Sequence, residues 1–327
     1  MRRAFLAGAL VGLTGCAGEP LGYFDTAGPI ASSIANLGIG LTAISVAVCV
    51  VVALLLAAAI WRRRGAGDAG IQPVNDRQPI RWILAGVALS TVFLVASAVW
   101  TLATVQATLP PAHPGLTVDV AGQEWWWAVK YESSDPSRQF TTANQLVIPV
   151  GVPVQVNLTS KDVIHSFWIP KLGGKMDMIP SRTNVTWIEA DRAGHYRGQC
   201  SEFCGLQHAN MAFDVLALSP ADFQTWWDRQ LQPASAPADD PGLTTFMARC
   251  AVCHTVRGTD AGGILGPDLS HFGSRSTIAA GLMPNTPANL SNWIDNTQTI
   301  KPGAKMPELH MLAGEVADVT AYLEGLH

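Results

Sequence analysis

The sequence predicts a multidomain chain: a leader, a transmembrane two-helix hairpin, a β-sandwich and a terminal all-α domain. Three observations predict it. Two runs, 34–60 and 82–106, contain no charged residue. Residues 116–218 break into short runs rich in Val, Thr, Trp and Tyr, interrupted by Pro, Gly, Asp and Asn. After a Pro/Ala stretch at 233–241 the pattern turns helical.

Composition agrees with a membrane location. Of 327 residues, 48% are hydrophobic and only 14% charged, an apolar balance for a soluble protein. The net charge of −4 offers no basic surface for nucleic acid. The chain starts Met1-Arg2-Arg3, continues with an apolar run and reaches Leu13-Thr14-Gly15-Cys16. A basic start, a short apolar run and small residues predict a signal peptide over 1–15. Its Leu-x-Gly-Cys ending resembles a bacterial lipoprotein signal, which implies lipidation of Cys16 and an external segment 16–33; the alternative is an ordinary signal with an incidental cysteine.

Each charge-free run is long enough to cross the roughly 30 Å hydrocarbon core. Transmembrane helices are therefore expected over 34–61 and 82–106. The loop between them, 62–81, carries Arg62, Arg63, Arg64, Arg77 and Arg81, whereas 17–33 and 103–118 carry no Lys or Arg. The positive-inside rule places that loop in the cytoplasm and everything after Gln106 on the outer face.

In the domain at 116–232, strands are expected over 116–120, 124–131, 145–148, 152–158, 165–169, 184–189 and 194–199. So many strands in so short a stretch suggest a sandwich, closed by a helix over 220–230. The linker 233–241 is semi-extended by composition. In the last domain, 242–327, helices are expected over 243–253, 290–296 and 314–326.

Two ligand sets stand in these domains. Cys200 and Cys204, with three residues between them, can bridge two coppers. His208 follows at ligand spacing, His165 comes from another strand, and Met211 and the carbonyl of Glu202 offer weak donors. Soft sulfur with imidazole selects copper; the alternative is a Cys₂His₂ zinc site, which has no use for Met211. The second set, Cys250-Ala251-Val252-Cys253-His254, is the attachment signature of haem c: two thioethers from Cys250 and Cys253, and His254 on the iron. A redox dithiol is the alternative.

Asp162-Val163-Ile164-His165-Ser166-Phe167-Trp168-Ile169-Pro170, with Gly194-x-Tyr196-x-Gly198-Gln199-Cys200 through Met211, resembles subunit II of the haem–copper cytochrome c oxidases. The resemblance extends over the hairpin, the β domain and the haem domain. It implies a cupredoxin-like sandwich holding a dinuclear copper centre on His165, Cys200, Glu202, Cys204, His208 and Met211, with the Glu202 carboxylate turned towards a magnesium ion shared with subunit I. In Gly122-Gln123-Glu124-Trp125-Trp126-Trp127 it implies that electrons enter at Trp125, with packing as the alternative, while Trp126 and Trp127 read as strand residues that pack the core and the membrane interface. In Lys175 through Arg182 it implies a segment facing subunit I, where Asp177 and Arg182 would pair with its polar groups or haem propionates; the alternative is an ordinary charged surface turn. The implied partners are subunit I, subunit III and, upstream, a quinol–cytochrome c oxidoreductase or soluble cytochrome. The implied place is the bacterial cytoplasmic membrane. A copper-dependent nitric oxide reductase with a similar subunit is the rival reading, and a copper-handling protein without turnover is another, which the fused haem speaks against. One departure stands out: the family's Glu near the start of the second helix is missing, and the segment reads Asp76-Arg77-Gln78-Pro79.

The terminal domain resembles class I cytochromes c, in which a Pro carbonyl orients the proximal His; Pro267 stands at that spacing. Met306, in Lys301-Pro302-Gly303-Ala304-Lys305-Met306-Pro307, resembles the distal-ligand loop, with Met283 as its rival. His113, His195, His271, His310 and His327 read as surface residues. Both domains carry more acid than base: five Lys/Arg against seven Asp/Glu in 241–327, and nine against twelve in 116–232. Opposite charge does not draw them together, so the expected pairing agent is the tether, through its effective concentration. The haem is then the immediate donor to the copper site.

Overall fold

The computed structural model describes residues 20–65, 77–234 and 240–327. The signal peptide, Cys16, Asp76 and most of the linker fall outside them.

Residues 32–109 form one unit, made of α1 (Pro29–Gly65) and α2 (Arg77–Ala107). Both helices are apolar on all sides over most of their length, the pattern of a helix that crosses a membrane or is buried in protein. Spans of 35 and 29 residues, Pro29–Arg63 and Pro79–Ala107, meet the length for crossing a membrane. Four of their hydroxyls are satisfied internally: Ser45, Thr91, Thr101 and Thr104 each donate to the carbonyl four residues back.

The second unit holds the sandwich and the helical domain. One sheet contains β1 (Leu116–Gln123), β2 (Trp126–Tyr131), β3 (Phe140–Ala143), β5 (Val154–Ser160) and β8 (Asn184–Ile188), in the order β3-β2-β1-β5-β8. The other contains β4 (Gln145–Pro149), β6 (His165–Trp168), β7 (Met176–Met178), β9 (Gly194–Cys200) and β10 (Ala212–Leu218), in the order β4-β10-β9-β6-β7. Alternate residues of β1, β2 and β5 point into the core, as strands with one buried face require. Trp127, Phe167 and Phe213 cluster at its centre. The expected core role of Trp127 is met, since it is fully buried. The expected helix is α3 (Pro220–Gln230), capped by Ser219, with Trp226 and Trp227 packed on Tyr131.

Three strands lie outside the expected set: β3, β7 and β10. The first two are short edge strands. Ala212–Leu218 is a near-continuous apolar run, and periodicity does not separate such a run from a buried helix. In the fold it is a central strand between β4 and β9.

The helical domain contains α4 (Pro241–Arg249), α5 (Pro287–Asp295), α6 (Thr297–Ile300) and α7 (Ala313–Glu324), with a small hairpin of β11 (Thr277–Ile278) and β12 (Met283–Pro284). Asp240 and Thr286 cap α4 and α5, and each helix has Pro in its first turn. The helix expected over 243–253 stops at Arg249, because the chain turns from Cys250 to place the two cysteines and His254.

Candidate metal centres

Strand pairing builds the first centre. Phe167 of β6 faces Cys200 of β9, which sets His165 beside the end of β9. The loop between β9 and β10 then folds back on itself. The Cys200 amide donates to the Met211 carbonyl at 2.9 Å, and the Ser201 amide donates to the Ser166 carbonyl at 3.0 Å.

The six expected positions converge. Cys200 Sγ lies 3.7 Å from Cys204 Sγ, 3.9 Å from His165 Nδ1 and 3.3 Å from the Glu202 carbonyl. Cys204 Sγ lies 3.5 Å from His208 Nδ1 and 3.8 Å from Met211 Sδ. Each sulfur therefore has one imidazole nitrogen and one weak donor beside it. That is a pair of half-sites joined at the two sulfurs. His165, Cys200, Cys204 and Met211 are buried, and the ligand atoms of the first three lie within 4.8 Å of one another. A single tetrahedral zinc would leave the thioether and the carbonyl without a role. A soft-metal pair uses all six. The Glu202 side chain is exposed and stands outside the cluster.

The two thiols differ electrically. Hydrogen bonding from Cys204, aided by His165, holds the Cys200 thiol down to about 3. The same contact pushes Cys204 up. The contact favours ionisation of Cys200 before Cys204, and a metal would bind both as thiolates. Burial pushes the His165 imidazolium down, but Cys200 and Asp162 outweigh it and raise its pKa. Asp162 Oδ1 accepts from His165 Nε2 at 2.8 Å, leaving Nδ1 for a metal. Sequence reasoning gave Asp162 no role; the signal was a carboxylate three residues before a ligating His.

The second centre is a cavity of about 480 Å³, lined by Cys250, Cys253, His254 and Met306. His254 Nδ1 donates to the Pro267 carbonyl at 2.8 Å, which leaves Nε2 free to ligate. Burial lowers the His254 pKa and favours the neutral, ligating imidazole. A Cβ on Gly266 would stand 2.6 Å from His254 Cε1, so only glycine lets the chain pass the ring there. Val252, Ile264 and Leu265 line the cavity yet are 70–86% exposed, an apolar rim shaped for a flat apolar ligand. Met306 faces this cavity, whereas Met247, Met283 and Met311 pack with the helical core. The buried guanidinium of Arg275 also lines it, with its pKa pushed by burial to about 10. These residues fit a covalently held haem.

The centres are neighbours. The Trp125 indole donates from Nε1 to the Cys204 carbonyl at 2.8 Å, and Trp125 also lines the cavity. Lys301 Nζ, in the helical domain, donates to the carbonyls of Trp125 (2.8 Å), Asn210 (2.8 Å) and Ala279 (2.9 Å). Burial pushes its pKa to about 7, while three carbonyls take all three N–H bonds of the charged form. Thr277 donates to the buried Asp214, and Arg197 to the Gly281 carbonyl. Net charge could not reveal this docking, because it rests on a few local bonds. His271 departs from the surface reading: it is 5% exposed, with Nε2 3.3 Å from the Gln232 carbonyl. Lys175, Asp177 and Arg182 are exposed and join neither centre.

Comparison with known proteins follows the same division. The family model described as cytochrome C oxidase subunit II, periplasmic domain, matches residues 133–218, and that described as cytochrome c matches 240–327. The chain is 33% identical to cytochrome c oxidase subunit 2 of Alkalihalophilus pseudofirmus over 326 residues, covering 96% of this chain and 93% of the relative. It is 30% identical to that of Bacillus subtilis over 344 residues, covering 96% and 94%. A crystal structure of the periplasmic domain of subunit II of cytochrome oxidase (CoxB) of Bradyrhizobium japonicum is similar at 32% identity, covering 37% of this chain and 96% of that one, with a TM-score of 0.34. Identity along nearly the full length of relatives named cytochrome c oxidase subunit 2 shows the family: the chain belongs to the cytochrome c oxidase subunit II family, in the form that carries a cytochrome c domain at its C-terminus.

Proposed function

We propose that this chain is the electron-receiving subunit of a bacterial terminal oxidase, passing electrons from its own haem c to a dinuclear copper centre and on to subunit I, where oxygen is reduced to water. When bound, the haem and the copper pair supply one-electron oxidation and reduction. The chain's residues do the rest. Cys250 and Cys253 would anchor the haem, and His254, oriented by Pro267, and Met306 would ligate its iron. His165, Cys200, Cys204, His208, Met211 and the Glu202 carbonyl would hold the coppers, with Asp162 fixing the His165 ring. The sandwich excludes water from both sulfurs, which are 2% exposed, and a rigid dry site needs little rearrangement when its charge changes.

A single observation carries the reading: one side chain, Trp125, bonds to the backbone of Cys204 and lines the haem cavity. It offers a hydrogen-bonded route from one centre to the other. In this reading the Glu202 carboxylate, exposed on the copper loop, would bind magnesium at the contact with subunit I. The two apolar helices anchor the chain, with 62–81 inside and both metal domains outside, within reach of an upstream quinol–cytochrome c oxidoreductase or soluble cytochrome. Subunit III completes the complex.

The test is Trp125→Phe in the purified oxidase, which keeps a ring and removes the indole N–H. Haem reduction by an added donor and the copper paramagnetic resonance signal should be unchanged. Transfer from haem to copper and oxygen uptake should both slow by about tenfold, the effect of ~1.4 kcal/mol on a barrier. Unchanged transfer would remove Trp125 from the route.

A further inference from the structure

A buried ammonium stands between the two centres. Lys301 is 3% exposed, and its Nζ meets three carbonyl oxygens within 2.9 Å. Taking a lysine out of water is costly unless every N–H finds an acceptor. Here the acceptors come from both domains. Trp125 and Asn210 belong to the sandwich, and Ala279 to the helical domain that also carries Lys301. The cation therefore has its full set of partners only while the domains are docked.

The neighbouring contacts fall on the same spot. Gln207 Nε2 donates to the Pro302 carbonyl at 2.9 Å, and the Ala212 amide donates to the Ala280 carbonyl at 2.9 Å. The loop after Lys301 lies on the tryptophan: a Cβ on Gly303 would sit 3.5 Å from the Trp125 ring. Lys305 adds an outer pair with Asp162 at 3.3 Å. Trp125 is left 8% exposed beneath this cover.

We infer that Lys301 is a positioning residue that locks the haem domain onto the Trp125 face of the copper domain, holding the centres in their transfer geometry and closing that face to outside donors. The inference rests on the reading of Trp125 as the route between the centres. The step served is a one-electron exchange. The ferrous haem becomes ferric, the copper pair gains one electron, and no bond or proton changes. Lys301 touches neither metal site's ligand side chains; it acts by holding Trp125 and the loop carbonyl of Asn210 in register with the haem domain.

The experiment uses Lys301→Met in the complete oxidase, with a light-triggered reductant feeding the haem. Loss of the lock makes docking a transient event, so the observed rate falls with the docked fraction. Transfer should slow about tenfold or more and become dependent on solvent viscosity, whereas wild-type transfer should not change with viscosity. The covalent haem content and the copper resonance signal should stay unchanged, which a folding defect would not allow, and the haem potential is measured beside the rate because a buried charge lining its cavity has been removed. Amide hydrogen exchange at Ala212, whose N–H bonds across the interface, should accelerate, a readout independent of turnover. The milder Lys301→Gln, which retains two donors, should fall between the two and serves if Lys301→Met does not assemble. Wild-type transfer with unaltered exchange at Ala212 in either variant overturns the inference. Slow transfer in Trp125→Phe beside normal transfer in Lys301→Met would sink the lock and leave the relay standing. The reverse pattern would sink the relay and leave Lys301 as a docking residue.

Discussion

Tyr131 joins the two sheets through a single hydroxyl. Its ring stacks on Phe140 at 4.7 Å between centroids, on the β2–β3 side. Its oxygen reaches across to β4, donating to the Val147 carbonyl at 2.9 Å and accepting from the Val147 amide at 2.7 Å. Val147 is fully buried. Burial pushes the phenol pKa up, so the hydroxyl stays protonated throughout the usable range. In Tyr131→Phe the ring packing survives, but a buried amide and carbonyl each lose a partner. Each such loss costs on the order of 1–3 kcal/mol, and the sandwich should be destabilised by at least about that much. A urea midpoint that does not move would show that water takes the hydroxyl's place. The same logic explains why Asp162 and Lys301 escaped the sequence reading. Asp162 sits in a quoted motif and Lys301 in the distal-ligand loop, yet what each does depends on atoms brought in from elsewhere in the chain.

At the scale of elements, the haem domain is held by the crossing of α4 over α7. Gly242, in the first turn of α4, lies against the Asp318 carbonyl and the Tyr322 side chain; a Cβ there would meet Tyr322 Cβ at 2.5 Å. Phe246, one turn on, is fully buried and packs on Tyr322 with ring centroids 5.4 Å apart. Gly242→Ala forces the helices apart, and overpacking of this kind costs about 1–3 kcal/mol. The expected result is a lower unfolding temperature with haem content unchanged; an unaltered temperature would mean that α4 slides without loss. The helices were largely legible because capping residues and Pro mark their starts, as Ser219 and Pro220 do for α3. The central strands with alternating burial were legible for a similar reason. The edge strands were not, since β7 is three residues long and gains its pairing only from β6. Neither was the exchange of sheets between β3 and β4. It turns on Asn144, at φ +58, whose side chain accepts the Trp127 amide at 2.9 Å. The proposed ligand sets were legible because cysteine spacing is local, whereas the pairing of Cys200 with His165 and Cys204 with His208 needed β6 laid beside β9.

At the scale of the whole molecule, two acidic domains share a face. Each has more Asp and Glu than Lys and Arg, so long-range attraction does not bring them together. The docked state is held instead by short bonds that lie mainly out of water. They are Lys301 on three carbonyls, Gln207 on Pro302, Ala212 on Ala280 and Thr277 on Asp214. Lys305 with Asp162 is the contact that salt can reach, since the Lys305 side chain is 62% exposed. Salt screens exposed charges beyond a Debye length of about 10 Å at 0.1 M and acts far less on buried ones. A diffusing cytochrome that finds its partner by charge slows steeply as salt rises. Transfer within this chain should behave otherwise: between about 0.05 and about 0.5 M salt its rate should hold within about twofold. The measurement is the same light-triggered reduction, repeated over a salt series. A steep fall with salt would mean that the haem domain leaves the copper domain between turnovers and is steered back by charge. In that event the tether, not the buried contacts, would govern the supply of electrons.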